Sequence, residues 1–242
     1  MTSAVETRAQ RVIGVDEAGR GPILGPMALA AVAVDAAGVA ELERLGVQDS
    51  KRFGAGKRAK ERRAELAAVI EELALEARCV LVTVPAIDQR TFRGELNHLE
   101  REVAGDLLRE IDACDEDRII CDGARLFAPM TRRFAQLEAV DRGESAHVAV
   151  AAASILAKHA RDQAFAAIAA RYEPEFGALG GGGYINAPTR RFLAAYEARY
   201  KDLPPETRRS WGAPKPRAEA APKPSSKKPS SEQPSSEQLS LA

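Results

Sequence analysis

Over the first 212 positions, short apolar runs bounded by glycine and proline alternate with longer stretches in which apolar residues recur at helical spacing. Arg11 to Asp16 is a β-rich run, and Met27 to Val34 is a second. Between them Gly19-Arg20-Gly21-Pro22 and Gly25-Pro26 punctuate a turn region, so the pair reads as a hairpin with a wide connection. Leu66, Val69, Ile70 and Leu73 predict a helix across Lys57 to Ala77. Cys79 to Val84 reads as a third strand, stopped by Pro85. Leu99, Val103, Leu107 and Ile111 form one stripe of a helix from Leu96 to Ile111. Arg118 to Asp122 and Gln136 to Asp141 are the fourth and fifth strands. An Ala-rich helix follows from His147 to Tyr172, then another from Ala187 to Tyr200, entered through Pro188. Strands interleaved with helices in this order predict a layered α/β domain.

Composition changes this picture at the ends. From Ala213 to Ala242 the chain is rich in Pro and Ser and has no aromatic residue, so it buries little that could offset the entropy of ordering. The expected organisation is a flexible N-terminus over 1–10, one folded domain over 11–212, and a disordered tail over 213–242. Hydrophobic residues make up 45% of the 242, enough for a real core. The 35 basic and 35 acidic residues cancel, so any positive footprint for nucleic acid is local. The three cysteines lack metal-ligand spacing and suit a reducing cytoplasm, with Cys79 and Cys121 expected to be buried. No apolar run approaches signal-peptide or membrane-spanning length, so a cytoplasmic protein without a membrane partner is expected.

Three predicted strands end in acids: Asp16-Glu17 after the first, Asp122 after Ile119-Ile120-Cys121, and Asp141 after Leu137 to Val140. Burying a lone carboxylate is costly, and a cluster of them repels itself without counter-charge. If the three strand ends lie side by side, four carboxylates could hold hard divalent ions, Mg²⁺ or Mn²⁺, for phosphodiester hydrolysis. Each acid taken singly could equally cap a turn.

Gly19-Arg20-Gly21 leads into Pro22 and a strand, and no Walker lysine follows, so it is neither a P-loop nor a dinucleotide fingerprint. It is a tight turn, or a place where backbone approaches a ligand such as a ribose 2′-hydroxyl. Asp49-Ser50-Lys51-Arg52 is a basic loop before a helix entry, which suits phosphate or is solvated surface charge. Ser154, Lys158, Arg161 and Asp162 share one polar helix face. Tyr184 follows the glycine run Gly180 to Gly183 and could stack on a sugar or base, or merely pack on the domain. His98, His147 and His159 have no metal-ligand spacing and are expected to be non-catalytic.

Several of these blocks, in this order, resemble one family. Gly14-Val15-Asp16-Glu17-Ala18-Gly19-Arg20-Gly21-Pro22 is similar to the opening signature of ribonuclease HII, and Ala151 to Lys158 with Arg161-Asp162 resembles its later helix block. Asp49-Ser50-Lys51 and Cys121-Asp122-Gly123 match two further blocks. The resemblance spans about Val12 to Trp211. It implies a ribonuclease H-like mixed five-stranded sheet flanked by helices, with a helical C-terminal extension. It implies an endonuclease that hydrolyses the RNA strand of RNA–DNA hybrids and incises on the 5′ side of the junction at ribonucleotides embedded in duplex DNA. The implied chemistry uses two metal ions and leaves 3′-hydroxyl and 5′-phosphate ends. The implied partners are RNA–DNA hybrid and ribonucleotide-containing DNA, bound by a monomer. Carried over by motif, Asp16, Glu17, Asp122 and Asp141 are the catalytic and metal-binding acids. Gly19, Arg20, Gly21, Lys51, Ser154, Lys158 and Tyr184 contact the substrate. Two departures stand out. The family's fourth acid usually follows Lys-Gly, whereas Asp141 follows Ala139-Val140 and precedes Arg142-Gly143; and glycines replace the usual His-Lys before Gly-Tyr.

Overall fold

The computed structural model describes residues 10–47 and 56–212. The Asp49 to Arg52 loop, with Lys51, and the segments assigned to the N-terminus (to residue 9) and to the tail lie outside the described residues.

Five strands form one mixed sheet in the order β3-β2-β1-β4-β5. β1 (Val12–Ala18) pairs antiparallel with β2 (Met27–Val34), and β2 pairs antiparallel with β3 (Glu76–Val82). On the other side β1 runs parallel to β4 (Arg118–Asp122), and β4 parallel to β5 (Leu137–Val140). The central hairpin, β1 and β2, is almost wholly buried, as the unbroken apolar run of β2 requires.

Helices cover both faces. One face carries α3 (Val84–Thr91) and α4 (Leu96–Glu110), which pack Ile87, Leu99, Leu107 and Leu108 against Ile13, Val15, Leu29 and Ile119. The other carries α1 (Ala36–Arg44), α2 (Lys57–Leu73) and α7 (Val148–Phe176), which pack Leu42, Leu66, Ile70 and the alanines of α7 against Ala28, Ala30 and Val32. Two one-turn helices, α5 (Ala124–Phe127) and α6 (Gly143–Ala146), follow β4 and β5. α8 (Ala187–Tyr200) packs Phe192 and Tyr196 against Tyr172 and Phe176 in a separate aromatic cluster.

The local chemistry explains the closeness of α7 to the sheet. A β-carbon on Gly14 would collide with the backbone of Ala149 and Val150, so glycine on β1 and alanines on α7 let helix and strand meet at backbone distance. His147 starts that helix, its Nδ1 accepting the Ala149 N–H at 3.1 Å, and burial lowers its pKa, which suits a neutral cap.

The observed elements differ from the expected ones at the edge strand and in several helices; α2 stops at Leu73, short of the expected Ala77, which lies in β3. β3 begins at Glu76 rather than Cys79, and Cys79 is exposed on it while Cys121 is buried. Val84-Pro85 opens α3 instead of closing a strand, because proline at the first helical turn lacks only an N–H that would go unpaired anyway. α1, unmarked by apolar spacing, is started by Asp35, whose side chain accepts the Gly38 N–H at 2.8 Å. Among the described residues no helix is long and apolar enough to cross a membrane.

Candidate active site

The parallel register of β1 and β4 ends on the pair Val15–Cys121, so the next residues, Asp16 and Asp122, lie side by side just past it, each still paired on its other side, with Ala30 and Val140. Asp16 is 5% exposed and its Oδ1 accepts the Glu17 N–H at 2.7 Å. Asp122 is steered from the neighbouring strand end, its Oδ1 accepting the Gly143 N–H at 2.8 Å.

The third acid of this group is Glu144, which is 4% exposed. Ligand oxygens of Asp16, Asp122 and Glu144 all lie within 4.8 Å of one another. Asp141, the expected fourth acid, points elsewhere. It is exposed, and its Oδ1 accepts the Ala124 N–H at 2.9 Å at the start of α5. The reason is local backbone geometry. Arg142 adopts a left-handed conformation, φ +60°, which turns the chain so that Gly143 lies against Asp122 and Glu144 enters the cluster. The readable signal was the sequence Arg142-Gly143-Glu144: a basic residue and a glycine precede the acid, as Lys-Gly usually does in the family that the sequence resembles.

Burial pushes the Asp16 carboxyl well above the usual carboxylate range. The neighbouring charges of Glu17 and Asp122 push the same way, opposed by hydrogen bonds from Ser154 and from the Glu17 N–H. A buried, all-oxygen, like-charged donor set fits hard divalent cations, which supply the missing counter-charge and prefer such ligands. Alternation along β1 turns Glu17 toward α4, where its charge is felt by Glu100.

Asp16, Glu17 and Asp122 line a cleft of about 500 Å³ together with Gly19, Arg20, Gly21, Ser154, Lys158 and Tyr184. Of the expected site residues among those described, Asp141 is not brought here. Arg63 and Arg161, which sequence reasoning did not assign, also line the cleft. Arg63 is buried on α2 and pairs with Asp162 at 3.3 Å, and Lys158 pairs with the same carboxylate at 2.5 Å. One acid thus holds two cations at the rim of the cleft.

The loop Gly19–Pro22 is built in from several sides. Arg20 reaches α4, with Nη1 donating to Glu100 at 2.7 Å and Nη2 to Asn97 at 2.5 Å. Glu100 is fully buried, and burial raises its pKa to about 7 despite Arg20. Gly181, Gly182 and Gly183 all have positive φ, which explains the glycine run, and the Gly183 carbonyl accepts from Ile23 and Leu24 at 2.9 and 3.1 Å. Tyr184 follows, half exposed, with its ring against Gly21: a β-carbon there would lie 3.0 Å from Cε1. The buried Arg161 donates to the Leu24 carbonyl at 2.9 Å and packs against Gly19, where a β-carbon would come within 2.7 Å of it.

The chain is similar to proteins of one family. Residues 13–213 match a family model described as Ribonuclease HII. The Ribonuclease HII of Thermococcus onnurineus is 37% identical over 214 residues, covering 83% of this chain and 87% of that protein. The crystal structure of the ribonuclease H2 from Pyrococcus horikoshii OT3 superposes with a TM-score of 0.69 at 27% identity, covering 84% of this chain and 94% of that one. The RNase HII of Archaeoglobus fulgidus, solved in a complex with PCNA, gives 0.67 at 26% identity, covering 83% and 93%.

Proposed function

The chain belongs to the ribonuclease HII family, endoribonucleases that cleave the RNA of RNA–DNA hybrids, and from that premise we propose how its cleft selects and cuts its substrate. The enzyme incises duplex DNA on the 5′ side of an embedded ribonucleotide at the RNA–DNA junction, leaving 3′-hydroxyl and 5′-phosphate ends. The supporting observation is that one cleft holds both a buried carboxylate cluster and a glycine loop braced from several sides.

Asp16, Glu17, Asp122 and Glu144 would hold two divalent ions, Mg²⁺ or Mn²⁺. Bound there, the ions supply the positive charge that activates water and stabilises the charge developing on the phosphate. The chain's own residues do the rest. Bound cations would favour the Asp16 carboxylate, as the hydrogen bond from Ser154 does. The Gly143 N–H keeps Asp122 oriented toward the cluster. Lys158, held by Asp162 beside the buried Arg63, presents a cation to a phosphate next to the cut. Backbone groups of Gly19, Arg20 and Gly21 read the 2′-hydroxyl, and the half-exposed Tyr184 ring packs on the adjoining sugar.

The test is cleavage of a duplex carrying one ribonucleotide, of an RNA–DNA hybrid and of an all-DNA control, with each metal and with product ends mapped. The first two substrates are cut and the third is not. Asp16→Asn lowers the rate by about 10³-fold, roughly 4 kcal/mol of barrier, with the melting temperature retained. Wild-type cleavage by Asp16→Asn at matched metal, or cutting of the all-DNA duplex, refutes the reading.

A further inference from the structure

The loop Gly19–Pro22 has no regular secondary structure beyond the end of β1, yet reading a hydroxyl requires its peptide planes to be fixed. The side chains that fix them come from the far end of the domain. Arg208 is fully buried. Its Nη2 donates to the Gly19 carbonyl at 2.7 Å, its Nη1 to the Arg20 carbonyl at 2.9 Å, and its Nε to the Gly25 carbonyl at 2.9 Å. Trp211 Nε1 donates to the Gly21 carbonyl at 3.1 Å, and the Arg208 guanidinium lies 4.8 Å from the centre of the Trp211 ring. Three consecutive carbonyls of the loop are therefore taken by one arginine and one tryptophan.

In a trans peptide the carbonyl of one residue and the N–H of the next point in opposite directions. Turning the Gly19 and Arg20 carbonyls onto Arg208 therefore turns the Arg20 and Gly21 N–H groups away from it. Among the described residues neither N–H has a hydrogen-bond acceptor. The rigid fork of a guanidinium suits this task, because it offers several donors in one plane.

The segment bearing these two residues is itself tied down. The Arg208 N–H donates to the Ile23 carbonyl at 2.8 Å, and the Gly25 N–H to the Glu206 carbonyl at 2.9 Å. At its other end, Asp88 on α3 accepts the N–H of Arg209 at 2.9 Å, the N–H of Ser210 at 3.0 Å and the Ser210 hydroxyl at 2.5 Å. Asp88 is not among the residues lining the cleft.

We propose that residues 206–211 form a positioning strap, in which Arg208 and Trp211 hold the Gly19, Arg20 and Gly21 carbonyls so that the Arg20 and Gly21 N–H groups face the substrate, setting the discrimination between ribose and deoxyribose. This rests on the reading of Gly19–Gly21 as the ribose-sensing loop. A duplex with one ribonucleotide presents a single 2′-hydroxyl to that loop, whereas a long hybrid presents one in every register. Loosening the strap therefore weakens cleavage of the former most.

The experiment compares steady-state cleavage of a single-ribonucleotide duplex, the same duplex with a 2′-fluoro sugar at that position, and an RNA–DNA hybrid. The enzymes are the wild type, Arg208→Lys, Trp211→Phe and Asp88→Ala, each with its melting temperature measured with and without Mn²⁺. Arg208→Lys keeps the charge but cannot bridge three carbonyls. It lowers kcat on the single-ribonucleotide duplex by about tenfold or more, as misplacement of a positioning group does. Its KM on that duplex, its Mn²⁺-induced rise in melting temperature and its cleavage of the hybrid change much less. Trp211→Phe, which removes one donor, and Asp88→Ala, which acts through the strap alone, shift the same ratio in the same direction by a few-fold. If the ratio of single-ribonucleotide to hybrid cleavage stays at the wild-type value in Trp211→Phe and Asp88→Ala, the strap is refuted, even if Arg208→Lys fails to fold. Parallel loss on both substrates also refutes it. If the wild type cuts the 2′-fluoro duplex as fast as the ribonucleotide, the sensing role of the loop fails, and the proposal with it.

Discussion

The two halves of the cleft are held by opposite means. The carboxylate cluster is assembled by backbone: adjacent strand ends place Asp16 beside Asp122, and a left-handed turn delivers Glu144. It concentrates like charge in a buried place, and burial with that repulsion drives Asp16 toward its protonated form. The glycine loop is assembled by side chains from remote positions: Arg161 from α7, Arg208 and Trp211 from the end of the domain, and Glu100 from α4. There the buried arginines are seated on carbonyls, and burial lowers the pKa of Arg208 to about 10, which leaves it charged at neutral pH. The acid half gathers like charge that a bound cation would offset; in the loop half the Gly19, Arg20 and Gly21 carbonyls already have donors. On the proposed function, chemistry and sugar recognition would rest on separate supports and could be broken separately.

The largest effect separates two acids three residues apart. Glu144→Gln lowers cleavage by about 10²- to 10³-fold, the scale on which loss of one charge-stabilising group acts. Asp141→Asn keeps an acceptor for the Ala124 N–H and removes only an exposed charge, so it leaves the rate within about threefold, with a stability loss of about 1 kcal/mol or less. Rate measurements at saturating metal check this; a reversed order would place the acid half on β5 instead of α6.

A smaller effect isolates the loop half. Tyr184→Ala removes the ring that packs on Gly21 and lowers cleavage of single-ribonucleotide duplex by about tenfold, the worth of one stacking contact of 1–3 kcal/mol, with less loss on long hybrid. Equal loss on both substrates would assign Tyr184 to general substrate binding.

The smallest effects are in pH. Asp16 has a raised pKa in the folded state, so the folded chain holds a proton that the unfolded chain has released, and the metal-free protein loses stability as pH rises above the ordinary carboxylate range. The rise in melting temperature caused by Mn²⁺ therefore grows with pH, and Asp16→Asn removes that growth. Glu100, raised from 4.5 to about 7, withdraws stability in the same sense between those values, by about 3 kcal/mol at most. Glu100→Gln flattens that part of the profile in thermal melts, and an unchanged slope would show that Glu100 ionises normally.

Periodicity and punctuation carried most of the architecture. The buried hairpin strands, α4, β4 and α7 follow from apolar runs and helical stripes, because each buries a continuous face. The edge strand was read late because Glu76 and Arg78 interrupt its apolar pattern, as an exposed edge permits. Asp16, Glu17, Asp122 and Gly19-Arg20-Gly21 were legible because they sit where strands stop and a local pattern marks them.

What the sequence alone determined is the order of strands and helices and the candidates at two strand ends, since these depend on neighbours a few positions away. The tertiary structure decided between Asp141 and Glu144, because one backbone dihedral at Arg142 chooses which carboxylate reaches Asp122. It also recruited Arg208, separated by 188 and 189 positions from the carbonyls of Arg20 and Gly19 that it holds. Local pattern carries no signal across that distance; only the packing of the finished domain brings the strap to the loop.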